Sequence, residues 1–304
     1  MSLKDIKVKI KSVDRTRKVT KAMEAVSAVK MRKSQVRAIS GRPYAAASLS
    51  ILERLAPSLS AVQHPLTEKR EERRAAFIVV TSDKGLCGVL NAAVLKEATQ
   101  RIQELGFGKD AVDIFAFGHK AAEYFKRRGY RVVGEYQNIS DDISLQSYDQ
   151  VTDAIVSSYQ DECYDRVDII YTHFRSTFEQ TALYRRLLPL SAGAFHDIVK
   201  GITPEKGLYA NGNGAAPSFY TVEPAPDEVL NSLLPRLVSV MLYHALLESK
   251  ASEHSARMVA MKNASDKSRD LSKLLTRKFN KARQAAITRE VSEIVGGIEA
   301  MAGA

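Results

Sequence analysis

Apolar residues at the start of the chain step by three and four: Leu3, Ile6, Ile10 and Val13, with the stripe resuming in a shifted register at Val19, Met23 and Val26. That period predicts helix. Toward the other end Met258, Met261, Ser265, Ser268, Ser272, Leu275, Phe279, Ala282 and Ala286 alternate three and four without a break. A second register follows at Ile287, Val291, Ile294 and Ile298. A spacing near 3.5 marks a coiled-coil seam rather than the broad face of a globular helix. The three serines, with Ala22, Ala25 and Ala28 on the first helix, make it a thin seam. A coiled coil so weak at its core should draw rigidity from its surroundings.

The middle of the chain follows a different pattern. Residues 75–81 (AAFIVVT) form a continuous apolar run before a Gly-rich turn, and a helical pattern covers 91–105. Residues 112–118, 130–133 and 166–174 read as further strands, with helices at 119–128 and 148–161. Near-continuous apolar strands alternating with helices predict a mostly parallel sheet covered on both faces. The expected fold class is α/β: a long antiparallel coiled coil of the N- and C-terminal helices, a direction that the chain order permits but does not prove, plus a central α/β, Rossmann-like domain. Its divisions fall at 1–58, 59–226 and 227–304.

The punctuating residues agree with this division. All nine Pro lie between Pro43 and Pro235, and residues 1–40 and 236–295 contain neither Gly nor Pro. Sixty uninterrupted helical residues would span about 90 Å, too long to be buried in a domain of their own. Charge divides the same way. Residues 1–42 carry 13 basic and 3 acidic side chains, residues 236–304 carry 12 and 7, and the middle carries 20 and 25. The terminal helices are basic and the body mildly acidic.

Candidate chemistry is sparse. Ser82, Asp83, Lys84, Gly85, Leu86, Cys87 and Gly88 follow a strand, but the chain contains no phosphate-loop or dinucleotide-binding spacing. The segment reads as a tight strand-to-helix turn, with anion binding at the helix start left open. Cys87 has no base at a telling spacing, and with Cys163 it is one of only two cysteines, too few for a disulfide framework or a four-cysteine zinc site. The six histidines lie apart and suggest no metal site. Asp141 and Asp142 read as solvated loop acids, and the charge run 68–74 as a solvated linker. No run of 18 apolar residues suggests a membrane span, and no leader pattern precedes the first helix. The expectation is a reduced, cytosol-facing chain with no cofactor, metal or catalytic residue of its own. Its basic helices leave three readings open: nucleic acid, an acidic partner protein, or a solvated face. Against nucleic acid, residues 1–42 hold no aromatic for stacking.

Three blocks carry a resemblance. They are Val19-Thr20-Lys21-Ala22-Met23-Glu24 with Lys30-Met31-Arg32-Lys33-Ser34-Gln35, the turn from Ser82 to Gly88 followed by Leu90-Asn91, and a C-terminal block. The last runs from Ala251 through Arg257 to Ala264, then from Asn280 through Arg283-Gln284 to Thr288. Together they resemble the gamma subunits of F-type ATP synthases over about residues 3 to 300. The resemblance implies a shaft turning inside a threefold ring of alpha and beta subunits. It also implies an α/β foot held with the epsilon subunit on the membrane ring of c subunits. Ion flow would turn the shaft, and nucleotide chemistry would belong to beta. Carried over residue by residue, Met23, Lys30, Arg32, Lys33, Arg257, Arg283, Gln284 and Thr288 match shaft contacts to the ring. Tyr220 and Glu223 match the foot's contact to the c ring. The implied location is peripheral, on the cytoplasmic face of a bacterial inner membrane, with no nucleic acid among the partners. The alternative carried beside it is a basic coiled-coil nucleic-acid-associated protein. Val89 and Arg289 depart from the family's usual Gly and Gln, and the stretch 200–218 looks longer than usual.

Overall fold

The computed structural model describes residues 2–40, 64–190 and 226–302. Tyr220 and Glu223 lie outside them, as does the first helix beyond Ser40. The described elements are α1 (Leu3–Ser40), β1 (Ala75–Val80), α2 (Leu90–Glu104), β2 (Val112–Phe117), α3 (His119–Arg127), β3 (Arg131–Tyr136), α4 (Asp149–Gln160), β4 (Arg166–Phe174), β5 (Gln180–Leu188) and α5 (Pro226–Ala302). The chain forms two compact units, one of residues 1–27 with 257–304 and one of residues 28–256. They part inside α1 and α5 rather than at the ends of those helices.

The larger unit is built on a five-stranded sheet in the order β3-β2-β1-β4-β5, parallel except for β5. Every residue of β1 and β2 is buried, as expected for strands covered on both faces. Successive side chains of β1 go to opposite sides. Ala76, Ile78 and Val80 join Tyr159 of α4 and Leu234, Leu237 and Leu246 of α5 in one cluster. Ala75, Phe77 and Val79 join Val94 and Ile102 of α2 and Phe125 of α3 in the other. Gly118, between β2 and α3, is required: its φ is +95°, and a Cβ there would lie 2.2 Å from the Thr81 carbonyl oxygen.

The structure adds to the sequence expectations in three places. Strand β5 was not foreseen because Arg185 and Arg186 interrupt its apolar pattern. Arg186 is accommodated at one end of the sheet, where Glu72 pairs with both Arg186 and Arg166. Buried Arg166 in turn donates to buried Asp168, which also accepts from the Tyr184 hydroxyl. Segment 68–74 is exposed along most of its length, as expected, but it is not a free linker. Arg70 donates to the Tyr159 carbonyl and stacks over its ring, while Glu72 and Arg74 reach buried partners. Finally, an 18-residue window of α5 reaches a mean hydropathy of 1.3, long and apolar enough by composition to cross a membrane. Most apolar residues of α5 between Leu230 and Leu247 are buried in the cluster on the sheet, with Leu233 and Tyr243 half-buried.

The smaller unit pairs the start of α1 with the last part of α5. α1 enters the larger unit by its C-terminal end and α5 leaves it by its N-terminal part, so side by side they run antiparallel. The Ser272 hydroxyl donates to Asp14 across this pair at 3.0 Å.

Candidate functional site on the two terminal helices

Burial along α5 follows the anticipated seam. Met261, Ser265 and Leu275 are buried, and Met258, Ser268, Ser272, Phe279, Ala282 and Ala286 are half-buried. The second register behaves otherwise: Ile287, Val291, Ile294 and Ile298 are all exposed. The reason is length. Asp14 faces Ser272, so the first helical residue, Leu3, is reached near residue 283, and α5 beyond that point has no α1 left to pair with.

The shifted stripe expected on α1 is corrected. Val19 and Val26 are 58% and 56% exposed. The seam instead keeps its register through Arg17, Thr20, Glu24, Ser27, Met31 and Ser34, each buried or half-buried. A search for apolar residues missed this because the seam turns polar after Val13. Counting on by three and four from Ile10 and Val13 finds it. The displaced valines, with Val8, Val29 and Val36, are exposed, on the side of the helix away from the seam.

The candidate contact residues divide into three groups. Arg32, Lys33, Arg283, Gln284 and Thr288 are exposed, and the Thr288 hydroxyl donates to the Gln284 carbonyl. Met23 is half-buried and Arg257 buried, at 9% exposure. Lys30 is engaged within the chain, its ammonium 2.7 Å from Asp141 Oδ2. Asp141 also accepts from His254 at 2.7 Å, and Asp142 pairs with Arg37 at 2.5 Å. Asp141 is therefore no solvated loop acid, whereas Asp142 is one as expected, with 80% of its side chain exposed beside Arg37. Burial works against the charge of Asp141, but the hydrogen bonds and charges of Lys30 and His254 outweigh it and hold its carboxyl down to about 2. Burial lowers His254, and its bond to Asp141 only partly offsets that.

The turn after β1 has the expected tight form, with Leu86 and Gly88 both at positive φ. Cys87 is buried there, in contact with Ser82 and Asn91. Among the described residues no group of three His, Cys, Asp or Glu side chains is arranged to hold a metal.

One unit of paired long helices with exposed basic side chains, and another built on a mixed, mostly parallel α/β sheet, are the features that define the class of protein. The family model described as ATP synthase matches residues 2–301, and the chain belongs to that family. Its relatives include the ATP synthase gamma chains of Chloroflexus aurantiacus and Heliobacterium modesticaldum. The first is 41% identical over 303 residues, covering 99% of each chain. The second is 38% identical over 299 residues, covering 98% of this chain and 99% of its own. Among solved structures, one of the Tetrahymena thermophila mitochondrial ATP synthase central stalk and c-ring matches at a TM-score of 0.59 and 25% identity, over 81% of this chain and 99% of that one. The rotor of the Euglena gracilis mitochondrial enzyme shares the fold at a TM-score of 0.62 and 17% identity, over 94% and 98% of the two chains.

Proposed function

We propose that this chain is the gamma subunit of an ATP synthase, the central-stalk rotor that couples ion-driven rotation of a c ring to ATP synthesis at beta-subunit sites. The observation that carries the reading is the match to gamma chains over nearly the whole length. The exposed basic and apolar outer faces of both helices support it. In this reading segments 1–58 and 227–304 are the shaft and 59–226 the foot. Arg32, Lys33, Arg283, Gln284 and Thr288 meet the ring of alpha and beta subunits, with Met23 and Arg257 beside them. Tyr220 and Glu223 meet the c ring, and epsilon binds the foot. The chain itself is non-catalytic and needs no cofactor. It is held peripherally on the cytoplasmic face of a bacterial inner membrane through the complex. The nucleic-acid reading finds no support among the relatives.

The physical logic is that a thin seam gives a slender shaft, and charge on its outside complements acidic side chains of the surrounding subunits. Contacts inside a closed ring escape much of the screening that weakens exposed pairs. Desolvation offsets part of their attraction, so their main effect is orientation. The test is to tag the chain in its own organism and purify it. Co-purification with alpha and beta subunits and nucleotide-hydrolysing activity is expected. Recovery without them under conditions that preserve the complex would overturn the reading.

A further inference from the structure

The loop between β3 and α4 is anchored at both ends by buried apolar side chains, Ile139 and Ile143. Between them Asp141 spends both carboxylate oxygens on other elements: Oδ2 on Lys30 of α1 and Oδ1 on His254 of α5. Arg37 donates to the Asp141 carbonyl oxygen and pairs with Asp142. Lys30 and Arg37 are seven residues apart, so two turns of α1 present the same side to one loop. All of these residues lie in the larger unit.

The chemistry of each partner is defined. An ionised carboxylate only accepts, so His254 donates from Nε2. His254 is 3% exposed and its Nδ1 has no hydrogen-bond partner. A proton on Nδ1 would be a buried unsatisfied donor, so at neutral pH the ring is neutral, and it is charged only in the acid range where Asp141 titrates. Lys30 then supplies the single positive charge that balances Asp141. The nearby seam residues Ser27 and Ser34 are buried yet small, and they offer little apolar surface to resist sliding. Charge-assisted hydrogen bonds resist it better, because they weaken steeply with distance and angle.

We infer that Asp141 is a positioning residue of the rotor: through Lys30 and His254 it fastens α1 and α5 to the sheet, so that helices and body turn as one piece. The inference rests on the rotor reading, and it assigns Lys30 to the inside of the rotor rather than to its contact with the ring.

The experiment uses the assembled complex in membrane vesicles, with ATP synthesis and ATP hydrolysis measured on the same preparation. Asp141→Ala and Lys30→Gln should each lower synthesis several-fold relative to hydrolysis, and Lys30→Arg should restore the ratio. The double variant Lys30→Gln/Asp141→Ala should be no worse than Asp141→Ala alone, because both remove one contact. Arg32→Gln added to Asp141→Ala should instead multiply the losses. Amides of residues 28–40 should exchange roughly tenfold faster in Lys30→Gln, the loss expected for a charged hydrogen bond. Lys30→Gln changes a half-exposed side chain and serves if Asp141→Ala fails to fold. Multiplying losses in the Lys30/Asp141 double variant, or an unchanged ratio and unchanged exchange in Lys30→Gln, would overturn the clamp. A chain that never enters the complex would instead overturn the rotor reading.

Discussion

The body and the shaft of this protein are stabilised by different means. In the body Phe77, Phe117, Phe125 and Tyr159 are fully buried, and two apolar clusters cover the sheet. In the shaft the buried residues of α1 are Ile6, Thr20 and Ser27, facing an α5 that offers Met261, Ser265 and Leu275. Aromatic side chains bury far more apolar surface than serine or threonine. The body can therefore fold on its own core, whereas the shaft holds its shape by helix propensity, a narrow seam and whatever encloses it. In the proposed rotor, a shaft that turns inside other subunits would gain from being slender, which fits its weak seam.

The sharpest way to break this comparison is to remove an aromatic from the body. Phe117→Ala should cost about 3–5 kcal/mol and abolish cooperative unfolding of the isolated chain, followed by circular dichroism in denaturant. Should it leave the midpoint unchanged, the body would be no better packed than the shaft. Gly118→Ala comes next. The methyl would meet the Thr81 carbonyl, and the positive φ alone costs about 1–3 kcal/mol, read as a lowered melting temperature.

Shaft substitutions should be milder and more local. Leu275→Gly and Phe279→Gly each lose about 1 kcal/mol of helix propensity, and the buried Leu275 side chain adds a packing loss. Both should speed amide exchange in α5 near the substitution while leaving the body's melting transition in place. Coupled ATP synthesis in the complex should survive either change, since the enclosing subunits supply the missing stiffness. Complete loss of assembly from one of them would show that the seam matters more than its burial suggests. Ser272→Ala, which removes the bond to Asp14, should cost about 1 kcal/mol or less.

The comparison can also be sharpened by titration. Burial raises the Asp168 carboxyl to about 6, with Arg166 working against it, whereas Asp141 stays near 2. Asp168's contribution to stability is therefore present below about pH 4, its ordinary range, and lost as pH rises through about 6. Asp141's is present above about pH 4 and lost as pH falls through about 2. Carboxyl-carbon NMR titration of the two residues would reveal the order, and a reversed order would contradict the burial argument.

Much of the fold was legible because repetition carried it. The 3-4 alternation from Met258 to Ala286 gave the seam of α5 position by position, and the apolar runs gave β1, β2 and β4. Strand β5 was hidden by Arg185 and Arg186, and the place of Arg186 makes sense only beside Glu72, more than a hundred residues away in sequence. The candidate contacts were legible only through resemblance. Nothing local in Lys30, Arg32 and Lys33 tells which of the three turns inward.

The sequence by itself determined two long helices and a parallel sheet, because period, glycine and proline placement and apolar runs are local properties of a chain. It also determined the family, through blocks that lie on those helices and on the turn after β1. Counting on from Val13 reaches Thr20, Ser27 and Ser34, but only the tertiary structure decided that the α1 seam follows that register rather than the one through Val19 and Val26, because a seam is defined by what it faces. The end of α1 likewise decided that Ile287 and Ile298 are left exposed, although their spacing matches that of a buried stripe. The tertiary structure also joined Asp141 to Lys30 and His254, which are 111 and 113 residues from it in opposite directions along the chain. A charge pair at that separation has no signature in spacing, since its energy depends on distance in space and its partners can stand anywhere in the sequence.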